Sequence, residues 1–287
     1  MMQNFFVKSH GLGNDYIVLN QNELGFDLTE RTIRKICDVH FGIGSDGILL
    51  KVPSYNANFG LRILNPDGSE AEKSGNGLRI FAKYLFDYQF SKSRKFTIET
   101  PGGLVQAEII LEKNGKAKAV KVDMGKAVFS SPLIPVKSEN PECMGEILHL
   151  EYRDYLIHCV SLGNPHCVIL TEELDEKEVK IFGPQIETNS FFPNRINVQF
   201  AKVVSPTEVE VMIWERGAGW TLASGSSACA VAAVAVKKGL TQKVLTIKMP
   251  GGDLKIETDE FWNMRMTGDV CEIASGVLSH ELVNDLI

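Results

Sequence analysis

An internal repeat is the feature of this sequence that most restricts its fold. In the first half NPDGSEAEKSGNGLRIFAKYL is followed by FTIETPGGLVQAEI, and in the second half ERGAGWTLASGSSACAVAAVAVKKG is followed by LTIKMPGGDLKIE. Ser74 precedes Pro101 by 27 residues and Ser224 precedes Pro250 by 26, so each copy predicts a loop, a helix, a strand and a Pro-Gly-Gly turn. We therefore expect two copies of one unit, with the two Ser-Gly helix starts facing one another.

Strand-like runs, rich in β-branched and aromatic residues, dominate the rest of the chain. They are FGLRIL, KFTIET, LVQAEIIL, AVKVDM, LIHCVSL, INVQFAKVV, EVEVMIW, LTIKM and LKIET. Helical periodicity is confined to TERTIRKICDVH and to the two segments after the serines, where apolar residues recur at the spacing of a buried stripe. These positions are Leu78, Phe81, Ala82 and Leu85 in the first copy, and Ala228, Val231, Ala232 and Ala235 in the second.

Charge and hydrophobicity exclude several classes of protein. The formal net charge of -6 argues against a broad nucleic-acid-binding surface, which needs clustered positive charge, and the Lys-rich EKNGKAKAVK is predicted to be a solvated hairpin. The N-terminal residues lack the apolar core of a signal peptide, and no apolar run approaches the roughly 18 residues of a membrane span. We expect a cytoplasmic protein that binds neither nucleic acid nor membrane.

The six cysteines contain no CxxC pair, so they indicate neither a zinc site nor a disulfide framework. We expect each of them to be a small buried hydrophobic residue in a reducing compartment, and we expect no metal site. Cys229 lies roughly 140° around the helix from Ser224, at about 3.6 residues per turn, and is therefore predicted to be a core residue.

The two helix starts suggest a binding site for a small anion. The first turn of a helix has unpaired N–H groups and the positive end of the helix dipole, and both favour an anion. Glycine at positions 75, 77 and 225 allows a ligand to approach the backbone closely. Two such helix starts could hold a carboxylate and present one side chain to each face of the neighbouring carbon, an arrangement that suits inversion at that carbon.

Seven motifs resemble one family, in that family's order along the chain. They are GLGNDYIVLN, FGIGSDGILL, NPDGSEAEKSGNGLR, TPGG, GNPHCV, NRINVQF and WERGAGWTLASGSSACA. The chain resembles diaminopimelate epimerase, a cofactor-independent enzyme that interconverts LL- and meso-diaminopimelate. The resemblance implies an α+β fold of two pseudo-symmetric lobes, each a curled mixed or antiparallel sheet around a central apolar helix. It implies lobes of residues 1–123 with 271–287 and of residues 124–270, an active site in the cleft between them, and no cofactor.

The resemblance also implies a catalytic pair at the two helix starts, where the family has cysteines and this chain has Ser74 and Ser224. Both positions depart from the family's pattern. A hydroxyl is far harder to ionise than a thiol, so a serine that transfers a proton needs an adjacent base. His166 and Glu215 match family positions close to the catalytic pair and are the candidate bases. The alternative is that both serines only cap their helices.

The same resemblance predicts the residues that bind the substrate, a small zwitterionic amino acid. They are Asn14, Asn65, Gly75, Asn76, Asn164, Asn197, Glu215, Arg216, Gly225 and Ser226. Asparagine amides offer both donors and an acceptor, although Asn-Asp and Asn-Pro pairs also favour turns without any ligand. Glu215 and Arg216 could clamp the ammonium and carboxylate of a distal amino-acid centre, or form a surface ion pair. Trp220 replaces an acidic residue of the family, through either a packing change or an altered specificity.

Three hypotheses for function follow. The first is an epimerase of the diaminopimelate type, which removes an α-proton and returns one from the opposite face. The second is a racemase, isomerase or dehydratase of the same fold that acts on another amino acid. The third is a catalytically silent binding protein that has lost its acid–base pair. A homodimer is a possible assembly.

Overall fold

The structure is a computed structural model that describes residues 2–286, and their contacts divide them into two compact units. The first unit contains the described residues up to Val122 and those from Thr267 onward. The second unit is Asp123–Met266. The two points at which the chain passes from one unit to the other both fall within strands, Lys116–Lys126 and Asn263–Asp269.

The described residues form many strands and few helices, as expected for an α+β protein. The strands are β1 Phe5–Gly11, β2 Asn14–Asn20, β3 Ile48–Val52, β4 Phe59–Leu64, β5 Glu70–Ala71, β6 Lys95–Thr100, β7 Gly103–Lys113, β8 Lys116–Lys126, β9 Met144–His149, β10 Asp154–Ser161, β11 Pro165–Leu170, β12 Asn197–Ser205, β13 Glu208–Glu215, β14 Gly219–Thr221, β15 Val244–Met249, β16 Gly252–Thr258, β17 Asn263–Asp269 and β18 Cys271–Val277. The α-helices are α1 Glu30–Cys37, α2 Gly75–Asp87, α3 Glu176–Glu187, α4 Gly225–Lys237 and α5 His280–Leu286. Two short 3-10 helices span Gln21–Glu23 and Ser131–Leu133.

The two units repeat one pattern of strand pairing. In the first unit β1 pairs with β2 antiparallel, β2 with β3 parallel, β3 with β4 antiparallel, β4 with β6 parallel and β6 with β7 antiparallel. In the second unit β10, β11, β12, β13, β15 and β16 pair in the same order and with the same senses. Each parallel step needs a long crossover connection, which a helix supplies in both copies. The repeat predicted from the sequence is therefore confirmed as a repeat of topology.

Helix α2 is the central helix of the first unit. It contacts β1, β2 and β7, strands from both ends of the pairing order, so the sheet curves around it. The predicted stripe Leu78, Phe81, Ala82 and Leu85 is fully buried. Even Arg79 is buried, so the helix lies within the core rather than on a surface.

Helix α4 is the counterpart of α2, and its burial exceeds the sequence prediction. It contacts β10, β11, β12, β13, β15 and β16. Every residue from Ala228 to Ala235 has no exposed surface, including those outside the predicted stripe. Small alanine, valine and cysteine side chains around the whole circumference let the sheet approach on all sides. Cys229 is a core residue, as predicted.

Several local predictions can be compared directly with the structure. The Lys-rich segment is the β7–β8 hairpin, in which Lys113 pairs with Lys116 and the turn residues Asn114 and Gly115 have φ of 55° and 73°. Five cysteines are buried as predicted, whereas the prediction is wrong for Cys271, which is exposed on β18. Among residues 2–286 no helix is long and apolar enough to cross a membrane. The same residues contain no group of three or more His, Cys, Asp or Glu side chains suited to a metal ion.

Candidate active site

The two central helices begin at serines that have the same backbone conformation. Ser74 has φ -138° and ψ 120°, and Ser224 has φ -145° and ψ 126°, both extended. Gly77 N donates a 3.1 Å hydrogen bond to Ser74 Oγ, and Ser227 N donates one of 3.5 Å to Ser224 Oγ. Both serines therefore cap their helices. Capping uses one acceptor position of each hydroxyl and leaves its proton and a second acceptor position for other partners.

The repeated Pro-Gly-Gly turns hold the chain just before each serine. Gly102 N donates a 3.0 Å hydrogen bond to Glu72 O, and Gly251 N donates one of 2.8 Å to Leu222 O. Glu72 and Leu222 each lie two residues before a helix-starting serine. A Cβ atom on Gly102 would lie 2.9 Å from Glu72 O, so only glycine permits this approach. The Pro-Gly-Gly turn of each copy thus holds its own helix start in the same way.

Glu215 ends β13 beside the start of α4. Thr221 Oγ1 donates a 3.1 Å hydrogen bond to Glu215 Oε1, and the nearby Ser224 hydroxyl helps to lower the pKa of this carboxyl. Burial raises the pKa of Glu215 above its ordinary value, and the bonds from Thr221 and Ser224 oppose that rise. A carboxylate with a raised pKa is a stronger base. The hydrogen bond from Thr221, three residues before Ser224, thus holds a base beside the start of α4.

His166, the other candidate base, is completely buried on β11 and uses both ring nitrogens. Gln199 Nε2 donates a 3.1 Å hydrogen bond to His166 Nδ1, and His166 Nε2 donates one of 3.0 Å to Asn164 Oδ1. Burial, reinforced by the charge of Arg216 and opposed by Gln199, lowers the pKa of His166 to about 3. The ring is therefore neutral. Its described contacts join it to Asn164 rather than Ser224, which favours a positioning role over direct proton transfer.

A continuous polar chain connects His166 to the start of α4. Asn164 Nδ2 donates a 3.5 Å hydrogen bond to Ser226 Oγ, and Ser226 Oγ lies 3.5 Å from Ser224 Oγ. Ser226 is the second residue of α4 and is partly exposed. The structure therefore brings Ser224, Ser226, Asn164 and His166 together.

Asn197 supports the strand end that carries Glu215 and Arg216. The Asn197 side chain is 5% exposed, donates a 2.9 Å hydrogen bond to Pro165 O and accepts one of 3.0 Å from Arg216 N. Arg216 itself is exposed, with Nη1 donating a 3.1 Å hydrogen bond to Asn194 O. The Asn197 amide thus binds two backbone groups, those of Pro165 and Arg216. The guanidinium of Arg216 lies at the surface of the second unit.

In the first unit, a chain of amides runs beside the start of α2. Asn14 Nδ2 donates a 2.8 Å hydrogen bond to Asp46 Oδ2, and Asn76 Nδ2 donates one of 3.2 Å to Asn14 Oδ1. Arg79 Nη2 donates a 2.8 Å hydrogen bond to Asn76 Oδ1, and Nη1 donates one of 3.3 Å to Gly75 O. The buried guanidinium fixes Asn76 and adds positive charge to a helix start that is already positive.

The remaining predicted residues of the first unit lie in the turn before α2 and in its first turn. Asn65 Nδ2 donates a 2.9 Å hydrogen bond to Ser69 Oγ, and Asn65 N donates one of 2.8 Å to Ser69 O. These bonds close the turn, one of the two roles that the sequence left open for Asn65. Gly75 and its counterpart Gly225 are the buried first residues of α2 and α4.

Trp220 packs into the second unit. It lies opposite Trp214 in the β13–β14 pairing and contacts the hydrophobic core. Lys180 Nζ lies 5.1 Å from the centroid of its ring, within reach of a cation–π interaction. These contacts support the packing explanation for the aromatic residue at this position.

Sequence reasoning missed one contact residue in each unit, Tyr16 in the first and Glu187 in the second. The hydroxyl of Tyr16 lies 3.3 Å from Ser74 Oγ, although 58 positions separate the two residues. The repeat could have revealed it, because His166 precedes Ser224 by the same interval. The buried carboxylate of Glu187 accepts a 2.7 Å hydrogen bond from Gly217 N, close to Glu215. No pattern in the sequence indicates that contact.

A family model with the description diaminopimelate epimerase matches residues 6–130 and 158–271. The matched residues include both helix starts and every predicted site residue. The chain belongs to the diaminopimelate epimerase family. This membership places it among isomerases and confirms the family resemblance found in its motifs.

Curated relatives cover nearly the whole chain. A Nostoc protein named diaminopimelate epimerase 2 is 48% identical over 278 residues, which are 96% of this chain and 96% of that protein. The diaminopimelate epimerase of Acetivibrio thermocellus is 41% identical over 94% of this chain and 97% of its own length. That of Methanococcus maripaludis strain S2 is 40% identical over 94% and 98%.

Solved structures with low sequence identity share the fold. A probable proline racemase from Agrobacterium radiobacter has a TM-score of 0.71 at 13% identity, covering 96% of this chain and 93% of that one. A hydroxyproline epimerase from Agrobacterium vitis has a TM-score of 0.70 at 12% identity, covering 95% and 90%. These likenesses confirm the predicted α+β fold class.

Proposed function

We propose that this chain is a cofactor-independent amino-acid epimerase acting on diaminopimelate, in which Ser224 and Glu215 form one of two proton-transfer groups. The observation that carries the proposal is the 3.1 Å hydrogen bond from Thr221, which holds the Glu215 carboxylate beside the start of α4, where the Ser224 hydroxyl influences its pKa. Membership of the diaminopimelate epimerase family supplies the reaction and the substrate class. Glu215 supplies a base beside the helix start at which the family has a thiol.

The proposed proton transfer takes place in one concerted step at the start of α4. The Glu215 carboxylate takes the proton of the Ser224 hydroxyl while Ser224 Oγ takes the α-proton, so the C–H bond breaks and Glu215 ends protonated. The burial that raises the pKa of Glu215 strengthens this base. The backbone donor Ser227 N and the positive end of α4 favour negative charge developing on Ser224 Oγ.

The substrate-binding roles belong to the same proposal. Asn14 and Asn164 are partly exposed, and each hydrogen-bonds to the second residue of a central helix. Asn14 accepts from Asn76 in α2, and Asn164 donates to Ser226 in α4. We assign them to the ammonium and carboxylate groups of the amino acid. Arg216 is exposed and suits a second carboxylate, which diaminopimelate carries. Asn65, Asn197, Gly75 and Gly225 complete the proposed set.

The test is epimerisation of LL-diaminopimelate in deuterated water by the pure protein, followed by chiral chromatography and mass spectrometry. We expect meso-diaminopimelate labelled at the α-carbon. The Glu215→Gln variant should lose about 10²- to 10⁴-fold in kcat, the usual contribution of a general base. The matched control is Glu210→Gln on the same strand, which should leave kcat unchanged. Full activity of Glu215→Gln would reject the proposed base.

The same measurement separates the alternatives. Exchange or water loss with another amino acid, but not with diaminopimelate, would identify an isomerase or dehydratase of different specificity. Binding in a calorimeter without exchange would identify a silent binding protein. The cytoplasmic location and the homodimer remain parts of the proposal, to be tested by cell fractionation and by light scattering on the purified protein.

A further inference from the structure

The second helix-starting serine has a different partner. The proposed function requires a proton-transfer group at Ser74, but the position that corresponds to Glu215, 150 residues earlier in the repeat, is Asn65. An asparagine amide does not titrate, and this one closes a turn with Ser69. The described hydrogen bonds of Ser74 Oγ are with Gly77 N at 3.1 Å and with the phenol of Tyr16 at 3.3 Å.

The position of the Tyr16 ring is fixed by the surrounding backbone. Tyr16 lies on β2, between β1 and β3, and is 7% exposed, whereas Ser74 is partly exposed. A Cβ atom on Gly47 would lie 2.9 Å from Cε1 of this ring and 2.6 Å from Leu64 O. Glycine at position 47 therefore makes room for an aromatic ring behind the serine hydroxyl.

The contact is specific to the first unit. The residue that corresponds to Tyr16 in the second unit is His166, whose described contacts are with Asn164 and Gln199. Each helix start thus has one titratable side chain from a different position in the repeat: the Tyr16 phenol contacts Ser74 Oγ, and the Glu215 carboxylate is held beside the start of α4 by Thr221. A phenol, with an ordinary pKa of about 10, is a much stronger acid than an alkanol.

We infer that Tyr16 is the positioning and proton-relay partner of Ser74, a role that rests on the proposed epimerase function. When the α-carbanion is protonated, the Ser74 hydroxyl gives its proton to carbon and takes the Tyr16 proton. A C–H bond forms and a phenolate remains. In the opposite direction the phenolate takes the Ser74 proton while Ser74 Oγ takes the α-proton. The Gly77 N–H and the positive end of α2 stabilise negative charge on Ser74 Oγ in both directions.

The first arm of the test needs no turnover. Protein labelled with ¹³C at tyrosine Cζ is examined by NMR, with the Tyr16 resonance assigned by its loss in Tyr16→Phe. Ser74→Ala should shift this resonance, whereas Ser54→Ala should leave it in place. An unmoved resonance in Ser74→Ala overturns the inference whatever the activity of the protein.

The second arm is kinetic and uses the full chain with diaminopimelate. Tyr16→Phe keeps the ring against Gly47 and should lower kcat about 10²-fold with KM unchanged. Tyr155→Phe removes another buried phenol, the partner of Glu178, and should leave kcat unchanged. In a Ser74→Cys background, Tyr16→Phe should change kcat less than about 3-fold, because a thiol can exchange its own proton.

The outcomes separate the relay from the proposed function. If the parent protein is active and Tyr16→Phe has the same kcat, the relay is overturned but the proposed function is not. An equal loss in the Ser74→Cys background also overturns it, because the phenol would then serve only the structure. A parent that neither exchanges nor epimerises diaminopimelate overturns the proposed function, and the relay with it.

Discussion

The buried carboxylate of Glu187 accepts a 2.7 Å hydrogen bond from the backbone nitrogen of Gly217, two residues after Glu215. Arg195 Nη2 donates a 2.5 Å hydrogen bond to the same oxygen, Oε1, and Trp214 Nε1 donates one of 2.8 Å to Glu187 Oε2. Glu187 ends α3, so this single side chain ties the helix to the turn that follows β13. The position of the proposed base thus depends on a residue outside every recognised motif.

We expect Glu187→Gln to destabilise the protein by about 2 to 4 kcal/mol. The carboxylate accepts from three donors and an amide has only one oxygen, so either Gly217 N or Trp214 Nε1 loses its acceptor, and the exposed Arg195 loses its counter-charge. Denaturation by urea measures the change, with Glu176→Gln as a control on an exposed part of α3. A loss below that of the control would show that the turn does not depend on Glu187.

The pH dependence of exchange should report Glu215. A general base acts when it is deprotonated, so kcat/KM should rise with pH through the pKa of this carboxyl. Because burial raises that pKa, the acidic limb should have a midpoint above the ordinary glutamate value of about 4.3. The limb should disappear in Glu215→Gln. A limb that persists unchanged in this variant belongs to another group.

Buried histidine should make the protein less stable in mild acid. Burial lowers the pKa of His158 to about 4, so the native state keeps this ring neutral while the unfolded chain binds a proton near pH 6.5. The contribution of the neutral His158 ring to the free energy of unfolding is therefore fully present above pH 6.5, and it is lost as the pH falls towards 4. Between pH 7 and pH 5, the unfolding free energy of His158→Phe should therefore fall by about 2 kcal/mol less than that of the parent protein. His166 remains in the variant and contributes in the same direction.

The pH effect of His158→Phe is measured by urea denaturation at each pH. His149→Phe is a suitable control, because that histidine is exposed. The assignment fails if parent and His158→Phe lose stability equally between pH 7 and pH 5.

A buried ion pair holds the last turn of α2. Lys83 Nζ lies 2.5 Å from Asp87 Oδ2 and donates a 2.8 Å hydrogen bond to Ala117 O. Lys83→Met removes the buried partner of Asp87 and leaves only the more distant Lys116 Nζ, at 4.0 Å, so we expect a loss of about 3 kcal/mol. Arg34→Met breaks the exposed pair with Glu30 and should cost less than about 1 kcal/mol. Thermal and urea denaturation compare the two, and equal losses would contradict the prediction.

Local patterns in the sequence predicted the elements that they encode. FGLRIL and KFTIET become β4 and β6 with those bounds, because alternating apolar residues suit one buried face of a strand. The helices after Ser74 and Ser224 were likewise predictable from apolar spacing and a serine cap. The full burial of α4 was not, since alanine is compatible with an exposed face as well as with a surrounding sheet.

The candidate site was predictable as a set of positions but not as a set of contacts. The sequence offered His166 and Glu215 equally as partners for a serine. Hydrogen bonding distinguishes them, since Thr221 holds Glu215 beside the start of α4, whereas His166 is occupied by Asn164 and Gln199. Tyr16 gave no chemical signal of its own, because a tyrosine on an apolar strand is an ordinary core residue.

The sequence by itself determined the repeated order of elements, the family and the two serines at the helix starts, because these depend on residues close together along the chain. Only the tertiary structure decided that Glu215 lies beside the start of α4, that Ser74 contacts Tyr16 and that Glu187 holds the neighbouring turn. Such contacts join residues that are distant in sequence. They are set by strand register and by the burial of whole side chains, which no local pattern specifies.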